Sequence, residues 1–203
     1  MRTVVFDTET SGLRPGRICQ LAYIIDEGDG APQRGENTFF CVEHVDPGAE
    51  AVHGFSVGAL RELSDGLDFS VHADRIFADF NTSPLWVAHN FDFDRGFLLE
   101  EFRRCEKRPV IERNFCTMRF FTPVLKLQPV RPRPGGAKFK FPTLAQLTSF
   151  FGLSDQEIAA FATDVFRIPE HDGLKSHDAR FDSAAAYLCY ARGCARGLIR
   201  HTL

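Results

Sequence analysis

The chain opens with a short apolar strand pattern that ends in two acids. Residues 3–9 have the sequence TVVFDTE, in which Asp7 and Glu9 follow three apolar residues. Residues i and i+2 of a strand project from the same face, so both carboxylates point into one small region. Like charges at this spacing repel each other, and burial increases the repulsion. The pattern predicts either a divalent cation between the acids or a strand end that is open to water.

Apolar segments of strand length alternate along the chain with amphipathic helical patterns. This alternation indicates an α/β fold whose sheet is buried on both faces. Because the Gly- and Pro-containing segment 28–35 is typical of a hairpin loop, the first three strands are predicted to form an antiparallel meander. The predicted strands are residues 3–9, 18–26, 38–42, 85–88 and 110–115, and the predicted helices are residues 56–63, 69–81, 91–105, 117–126, 143–152 and 178–193.

The length and composition narrow the class of protein. A chain of this length fits one domain, and we expect residues 1–203 to form a single domain. The formal net charge of −3 argues against binding nucleic acid through bulk electrostatics, so any such binding is expected at a local site. We predict a cytoplasmic protein with no membrane span, because the sequence has no long apolar run, no signal-peptide pattern and no paired cysteine motif.

A basic segment rich in proline and glycine, residues 128–142, interrupts the pattern of strands and helices. Its charged residues are Arg131, Arg133, Lys138 and Lys140. Two interpretations stay open. The segment either guides single-stranded nucleic acid toward a site or is a solvated insertion without a binding role.

Asp94 is a third acid, placed on the apolar side of a predicted helix. With Asn90 as the N-cap, it lies in the first turn of the helix at 91–105 and shares a face with Phe97 and Leu98. An unpaired charge on a buried face is costly, and the helix dipole offsets only part of that cost. A nearby cation would offset the remainder of this cost. An acid in the first turn of a helix is, however, also a common surface feature.

Asp182 repeats this arrangement near the other end of the chain. It shares a helix face with small apolar residues that include Ala185 and Cys189. His177 lies five residues earlier, which places it in the turn before the helix, with Asp178 as the predicted cap. From this turn the imidazole can reach the acids, but an isolated histidine is more often an ordinary surface or core residue.

The segments FDTET, HNFDFD and HDARFD contain Asp7 and Glu9, then Asp94, then His177 and Asp182. Together they resemble the three motifs of the DEDDh 3′–5′ exonucleases, the superfamily of ribonuclease T, oligoribonuclease and the proofreading epsilon subunit of bacterial DNA polymerase III. The resemblance implies a ribonuclease H-like fold, with a five-stranded mixed sheet flanked by helices. It also implies an enzyme that releases nucleoside 5′-monophosphates from the 3′ ends of mainly single-stranded DNA or RNA.

The resemblance assigns a role to each of these side chains. Asp7 would bridge two divalent metal ions, Mg²⁺ or Mn²⁺, with Glu9 and Asp182 on one ion and Asp94 on the other. His177 would take the proton from the attacking water. The branch that uses tyrosine in place of this histidine does not fit, because its tyrosine position is occupied by Asp178.

The resemblance also implies contacts to the terminal nucleotide. In this sequence the residues that would make these contacts are Thr8, Thr10 and Leu13 in and after the first motif, His53 in the segment VHGFS, and Phe93 in the second motif. Phe93 would pack against the last base, a kind of contact that tolerates any sequence. The alternative for Phe93 is a core aromatic, which is common in a chain with 21 phenylalanines.

Two functions of other classes stay open. One is a proofreading subunit that acts only with a polymerase partner, although few residues follow Asp182 to bind one. The other is a non-catalytic nucleic-acid-binding relative, which is expected to lack at least one of the four acids or the histidine. All five are present, so a stand-alone nuclease is favoured, either as a monomer or as a homodimer.

Overall fold

The computed structural model of the protein describes residues 1–13, 16–28, 30–129, 138–169 and 174–200. Five strands and eight helices lie within these ranges. The strands are β1 (Thr3–Thr10), β2 (Ile18–Asp26), β3 (Arg34–Phe39), β4 (Leu85–Ala88) and β5 (Arg113–Cys116). The helices are α1 (Pro47–His53), α2 (Val57–Leu63), α3 (Phe69–Asn81), α4 (Phe91–Arg104), α5 (Thr117–Leu125), α6 (Leu144–Phe151), α7 (Asp155–Phe166) and α8 (Ala179–Ala195).

β1 lies at the centre of a five-stranded sheet with the order β3-β2-β1-β4-β5. β2 pairs antiparallel with both β1 and β3, whereas β4 runs parallel to β1 and β5 runs parallel to β4. The first three strands therefore form the predicted antiparallel meander. The predicted α/β fold, with a mixed sheet of five strands flanked by helices, is confirmed.

Helices cover both faces of the sheet. Alternate residues of a strand project to opposite faces, and the two cores follow this rule along β1. Val5 packs with residues of α6, α7 and α8, whereas Val4 and Phe6 pack with residues of α3 and α4. By the same alternation, Asp7 and Glu9 point to the α8 side of the sheet. The intervening residue, Thr8, points to the α4 side.

Two strands are displaced from their predicted positions. The prediction of a strand at 38–42 is wrong, because β3 occupies Arg34–Phe39 at the edge of the sheet. An edge strand with exposed polar residues lacks the apolar run on which that prediction relied. β5 occupies Arg113–Cys116 rather than 110–115, since Val110 is 66% exposed and precedes the strand.

The sequence patterns above do not predict α1 or α7. α7 begins after Ser154, whose side chain accepts a hydrogen bond from the backbone N–H of Glu157, and the spacing SxxE is a known helix-start signal. α1 begins at Pro47, and proline is favoured at the first position of a helix. Both helices therefore carry local signals at their starts. α1 matters more for function, because it forms one wall of the candidate site.

Most of the basic segment predicted at 128–142, including Arg131 and Arg133, lies outside the described residues. The backbone N–H of Lys140, near the end of this segment, donates to the carbonyl of Leu127, the residue just before the segment, at 2.9 Å.

Among the described helices, none combines the length and the apolar character needed to cross a membrane.

Candidate active site

The candidate site lies where the C-terminal end of β1 meets the first turn of α8. Glu9 comes from the strand and Asp182 from the helix. One carboxylate oxygen of each and one ring nitrogen of His177 lie within 4.8 Å of one another. The fold thus brings together two of the predicted acids and the predicted base from opposite ends of the chain.

Asp94 approaches the end of β1 from the α4 side of the sheet. Its Oδ1 accepts two hydrogen bonds from Thr8, one from the backbone N–H at 3.1 Å and one from Oγ1 at 2.8 Å. The side chain of Asp94 lies in the first turn of α4 and the residue is 3% exposed. Asn90 occupies the predicted N-cap position, although its side chain makes no capping hydrogen bond. Thr8 therefore fixes Asp94 next to Asp7 and Glu9 in the strand.

Buried polar side chains anchor both ends of α4. Glu101, in the last turns of the helix, accepts a hydrogen bond from Arg17 Nε at 2.8 Å. His89, just before the helix, lies between Thr117 Oγ1 at 2.9 Å and the carbonyl of Pro142 at 3.1 Å. Burial lowers the pKa of His89 to about 4, so its ring is neutral at ordinary pH. These contacts hold the helix that carries Asp94 against the sheet.

The turn before α8 places His177 over the acids. His177 has a φ of 64° and its backbone N–H donates to Asp182 Oδ2 at 3.2 Å. Asp178 is the N-cap of α8, and its side chain accepts a hydrogen bond from the backbone N–H of Arg180. Both predicted positions, the histidine in the turn and Asp178 at the cap, agree with this local structure. The imidazole is exposed and free to face a substrate.

Burial and mutual repulsion raise the pKa of every acid in this group. Desolvation is the largest cause in each case. The pKa of Glu9 rises to about 8, with further contributions from Asp182 and Asp94. The pKa of Asp94 rises to about 7 even though its hydrogen bonds from Thr8 oppose the rise, and that of Asp182 rises to about 6. The pKa of Asp7, which is close to all three, rises well above its usual range.

The donor set fits hard divalent cations. Four carboxylates supply oxygen atoms only, which are the ligands that Mg²⁺ and Mn²⁺ prefer. Cations at this point would also offset the repulsion that raises the four pKa values. The residues present therefore suit the predicted metal ions in both chemistry and charge.

An apolar cavity of about 490 Å³ opens beside Glu9. Its walls come from the end of β1, the loop that follows it, helix α1 and the start of α4. The five residues predicted to contact substrate all line it, namely Thr8, Thr10, Leu13, His53 and Phe93. Leu13 is 76% exposed at the mouth of the cavity, so its side chain is accessible to a molecule that enters.

The α1 wall of this cavity was not predicted from the sequence. Gly48, Ala49 and Val52 of α1 line the cavity, and α1 approaches the loop after β1 closely. A side chain at Gly12 would overlap the carboxylate of Asp46, the residue before α1. Gly12 therefore permits the contact, and the dipeptide Asp46–Pro47 was the available signal for the helix.

His53 forms part of the wall with its ring held in place. Its Nδ1 accepts a hydrogen bond from the backbone N–H of Phe55 at 3.0 Å, and Nε2 therefore faces the carbonyl of Thr10 at 3.3 Å as a donor. The ring also stacks on Phe55, with 5.2 Å between the ring centroids. Burial lowers the pKa of His53, which favours this neutral form.

Comparison with known families gives the deciding observation. The exonuclease family of ribonuclease T matches residues 4–160, which is most of the chain. The chain belongs to this exonuclease family. The membership confirms the relationship predicted from the motifs, to the DEDDh-type 3′–5′ exonucleases, and confirms an enzyme of the exonuclease class. A comparison with curated proteins finds no match.

Solved exonucleases share the fold of this exonuclease chain. Exonuclease I of E. coli in complex with a 5cy-dT13 oligonucleotide has a TM-score of 0.69 and 18% sequence identity, over 96% of this chain and 40% of the other. A moderately thermophilic exonuclease I from Methylocaldum szegediense has a TM-score of 0.62 and 21% identity, over 94% of this chain and 40% of the other. The chain thus spans about two fifths of the length of these enzymes. The likeness confirms the ribonuclease H-like fold.

The family match and the site overlap only in part. The matched residues include Asp7, Glu9 and Asp94 but end before His177 and Asp182. The placement of the last two side chains within this exonuclease therefore depends on the geometry at the start of α8, where both lie next to Glu9.

Proposed function

We propose that this chain is a metal-dependent 3′–5′ exonuclease that removes nucleotides from the 3′ ends of single-stranded DNA or RNA and releases nucleoside 5′-monophosphates. One observation carries the proposal. A cluster of four acids and a histidine adjoins an apolar cavity whose volume is in the range of small-molecule sites. We also propose that residues 1–203 form a single exonuclease domain. The cytoplasmic location stays a prediction.

In this proposal Asp7, Glu9, Asp94 and Asp182 would hold two divalent ions, Mg²⁺ or Mn²⁺. Bound ions of this kind lower the pKa of a water and stabilise the oxygen that leaves. The chain itself fixes where the ligands lie. Thr8 orients Asp94 with two hydrogen bonds, and the N–H of His177 orients Asp182 with one.

His177 is the proposed general base. A base must come within hydrogen-bond reach of the water that it deprotonates. A ring nitrogen of His177 lies within 4.8 Å of carboxylate oxygens of Glu9 and Asp182, and the residue is exposed. A water bound between these acids and the scissile phosphate would therefore be within its reach.

The cavity is the proposed site for the terminal nucleotide. Its apolar walls, which include Leu13, Val52 and Phe93, suit the faces of a base, and stacking on such walls tolerates any sequence. A base can enter only when it is unpaired, which favours single strands. The oligonucleotide bound in the E. coli exonuclease I structure is consistent with this proposal.

The open alternatives predict different behaviour. A non-catalytic relative would bind single strands without cleaving them. A proofreading subunit would cleave only in the presence of its polymerase partner. The described residues keep all four acids and the histidine together at one site, which favours catalysis.

The decisive experiment is a time course on single-stranded DNA and RNA of equal sequence, labelled at the 3′ or at the 5′ end. We expect shortening from the 3′ end in Mg²⁺ or Mn²⁺ and none in EDTA. Asp182→Asn should be inactive, whereas Asp155→Asn, which alters an exposed acid on α7, should match the wild type. Shortening from the 5′ end, internal cleavage or full activity in EDTA would refute the proposal.

A further inference from the structure

Gln20 is a fully buried polar residue in β2 that the proposed mechanism does not use. In the pairing of β1 with β2 it lies directly opposite Glu9. Its neighbours along the strand, Cys19 and Leu21, are fully buried as well. Burying an amide lowers the stability of the fold unless its hydrogen bonds are made. The partners of the Gln20 amide therefore indicate its role.

The Gln20 amide makes three hydrogen bonds, and two of them go to the start of α8. Oε1 accepts from the backbone N–H of Ala179, the first residue of the helix, at 3.0 Å. Nε2 donates to Asp178 Oδ1 at 3.0 Å and to Asn37 Oδ1 of β3 at 2.9 Å. The first N–H groups of a helix have no partner within the helix, and the Gln20 side chain supplies an acceptor for one of them. The side chain therefore attaches the N-terminus of α8 to the sheet.

The attached segment carries the helix-borne half of the site. His177 immediately precedes Asp178, and the backbone N–H of Asp182 donates to the carbonyl of Asp178 at 3.0 Å. A shift of Asp178 relative to β2 would therefore move both His177 and Asp182. Glu9, on the neighbouring strand, would stay in place.

We propose that Gln20 is a positioning residue that sets the distance between Glu9 on β1 and the pair of His177 and Asp182 at the start of α8. The inference rests on the proposed function of this site. Residues that orient metal ligands from behind are typically worth about 10- to 100-fold in metal affinity or activity. A misplacement of about 1 Å can cost a comparable factor in rate.

The test compares Gln20→Met with Asn37→Ala. Methionine has a similar length but cannot make either bond to α8, whereas Asn37→Ala removes only the outer partner and leaves both bonds in place. We expect Gln20→Met to lower kcat at least about 10-fold with KM nearly unchanged, and to weaken Mn²⁺ binding without substrate by about 10-fold. Asn37→Ala should match the wild type. Calorimetric Mn²⁺ titration and circular dichroism give affinity and folding at the assay temperature.

Wild-type kcat and Mn²⁺ affinity in a folded Gln20→Met variant would refute the positioning role, as would an equal loss in Asn37→Ala. A wild-type protein that cleaves neither DNA nor RNA would instead refute the proposed function, and the Mn²⁺ titration would still decide the role of Gln20.

If Gln20→Met does not fold, the positioning role of Gln20 is tested by exchanging the hydrogen-bond donor and acceptor between positions 20 and 178. Gln20→Glu keeps the acceptor for the Ala179 N–H but sets a carboxylate against Asp178. Adding Asp178→Asn restores a donor between the same two positions. We expect kcat and Mn²⁺ affinity to fall in the single variant and to recover at least about 10-fold in the double variant, a coupling that only interacting residues show. Effects that simply add would refute the proposal.

Discussion

At the scale of single residues, the site depends on backbone features as much as on charged groups. His177 adopts the left-handed region with a φ of 64°, which is uncommon for a residue with a side chain. This conformation turns its N–H toward Asp182 while its ring stays near Glu9 and Asp182. The proposed base and one acid are therefore positioned by a single residue.

We predict that His177→Ala and His177→Asn both lower kcat about 10²- to 10⁴-fold, the usual loss when a general base is removed. The two variants should differ in stability. Asparagine tolerates the left-handed region, whereas alanine pays a steric cost there of roughly 1 kcal/mol. Single-turnover kinetics and urea denaturation measure the two effects. Near-normal activity in His177→Asn would show that another group acts as the base.

A second prediction concerns Thr8, the partner of Asp94. Thr8→Val keeps the shape of the side chain but removes the hydroxyl that donates to Asp94 Oδ1 at 2.8 Å. We expect Mn²⁺ affinity or kcat to fall about 10-fold, because the carboxylate loses one of the bonds that orient it. Thr8→Ser, which keeps the hydroxyl, is the matched control. Equal activity of the two variants would contradict this role.

At the scale of elements, the cavity is shaped by the approach of α1 to the loop after β1. The backbone N–H of Asp46 donates to the carbonyl of Ser11 at 2.8 Å, and the side chain of Asp46 occupies the space next to Gly12. The side chain makes no capping hydrogen bond to α1. Asp46 can therefore be shortened without removing a cap.

We predict that Gly12→Ala pushes the exposed Asp46 carboxylate away from the loop and raises KM by about 3-fold, with a smaller effect on kcat. Asp46→Ala should restore KM in the double variant, because it removes the group that the new methyl would overlap. Asp46→Ala alone serves as the control and should bind normally. Steady-state kinetics on a single-stranded oligonucleotide measure all three, and a double variant as impaired as Gly12→Ala would contradict the prediction.

The site residues that the sequence predicted have local signals, although α1 and α7 were missed despite the local signals at their starts. The acids of β1, the Asp178 cap and the position of His177 follow from strand alternation and capping, which involve neighbours in the chain. β3 was misplaced because edge strands lack an apolar run. The role of Gln20 could not be predicted, because its partners, Asn37 and Asp178, are brought to it only by the folded sheet and α8.

At the scale of the whole molecule, the acid cluster links the stability of the fold to pH and to metal. The pKa values of Glu9, Asp94 and Asp182 are about 8, 7 and 6, all above those of unfolded carboxyl groups, near 4. Above the unfolded values the folded state binds more protons, so the unfolding free energy falls as pH rises toward 8. The cluster destabilises the metal-free fold most at alkaline pH.

We therefore predict that, in EDTA, the unfolding free energy decreases between about pH 5 and pH 8, by an amount on the order of a few kcal/mol. Saturating Mn²⁺ should flatten this slope, because bound cations stabilise the ionised acids and the folded state that holds them. Asp182→Asn should flatten it in EDTA as well, since one repelling charge is gone. Urea denaturation across this pH range measures the slope, and a metal-free stability that increases with pH would contradict the prediction.

The site draws Asp7 and Glu9 from β1, His177 from the turn before α8 and Asp182 from the first turn of α8, so residues 10–176 separate its two halves. A chain still on the ribosome carries the strand-borne acids early but lacks the proposed base and the fourth acid until the start of α8 has been synthesised. If the proposed function holds, this order of synthesis keeps the growing polypeptide inactive beside the messenger RNA that encodes it. The proposed active site is complete only once the start of α8 has been made and has packed against β1.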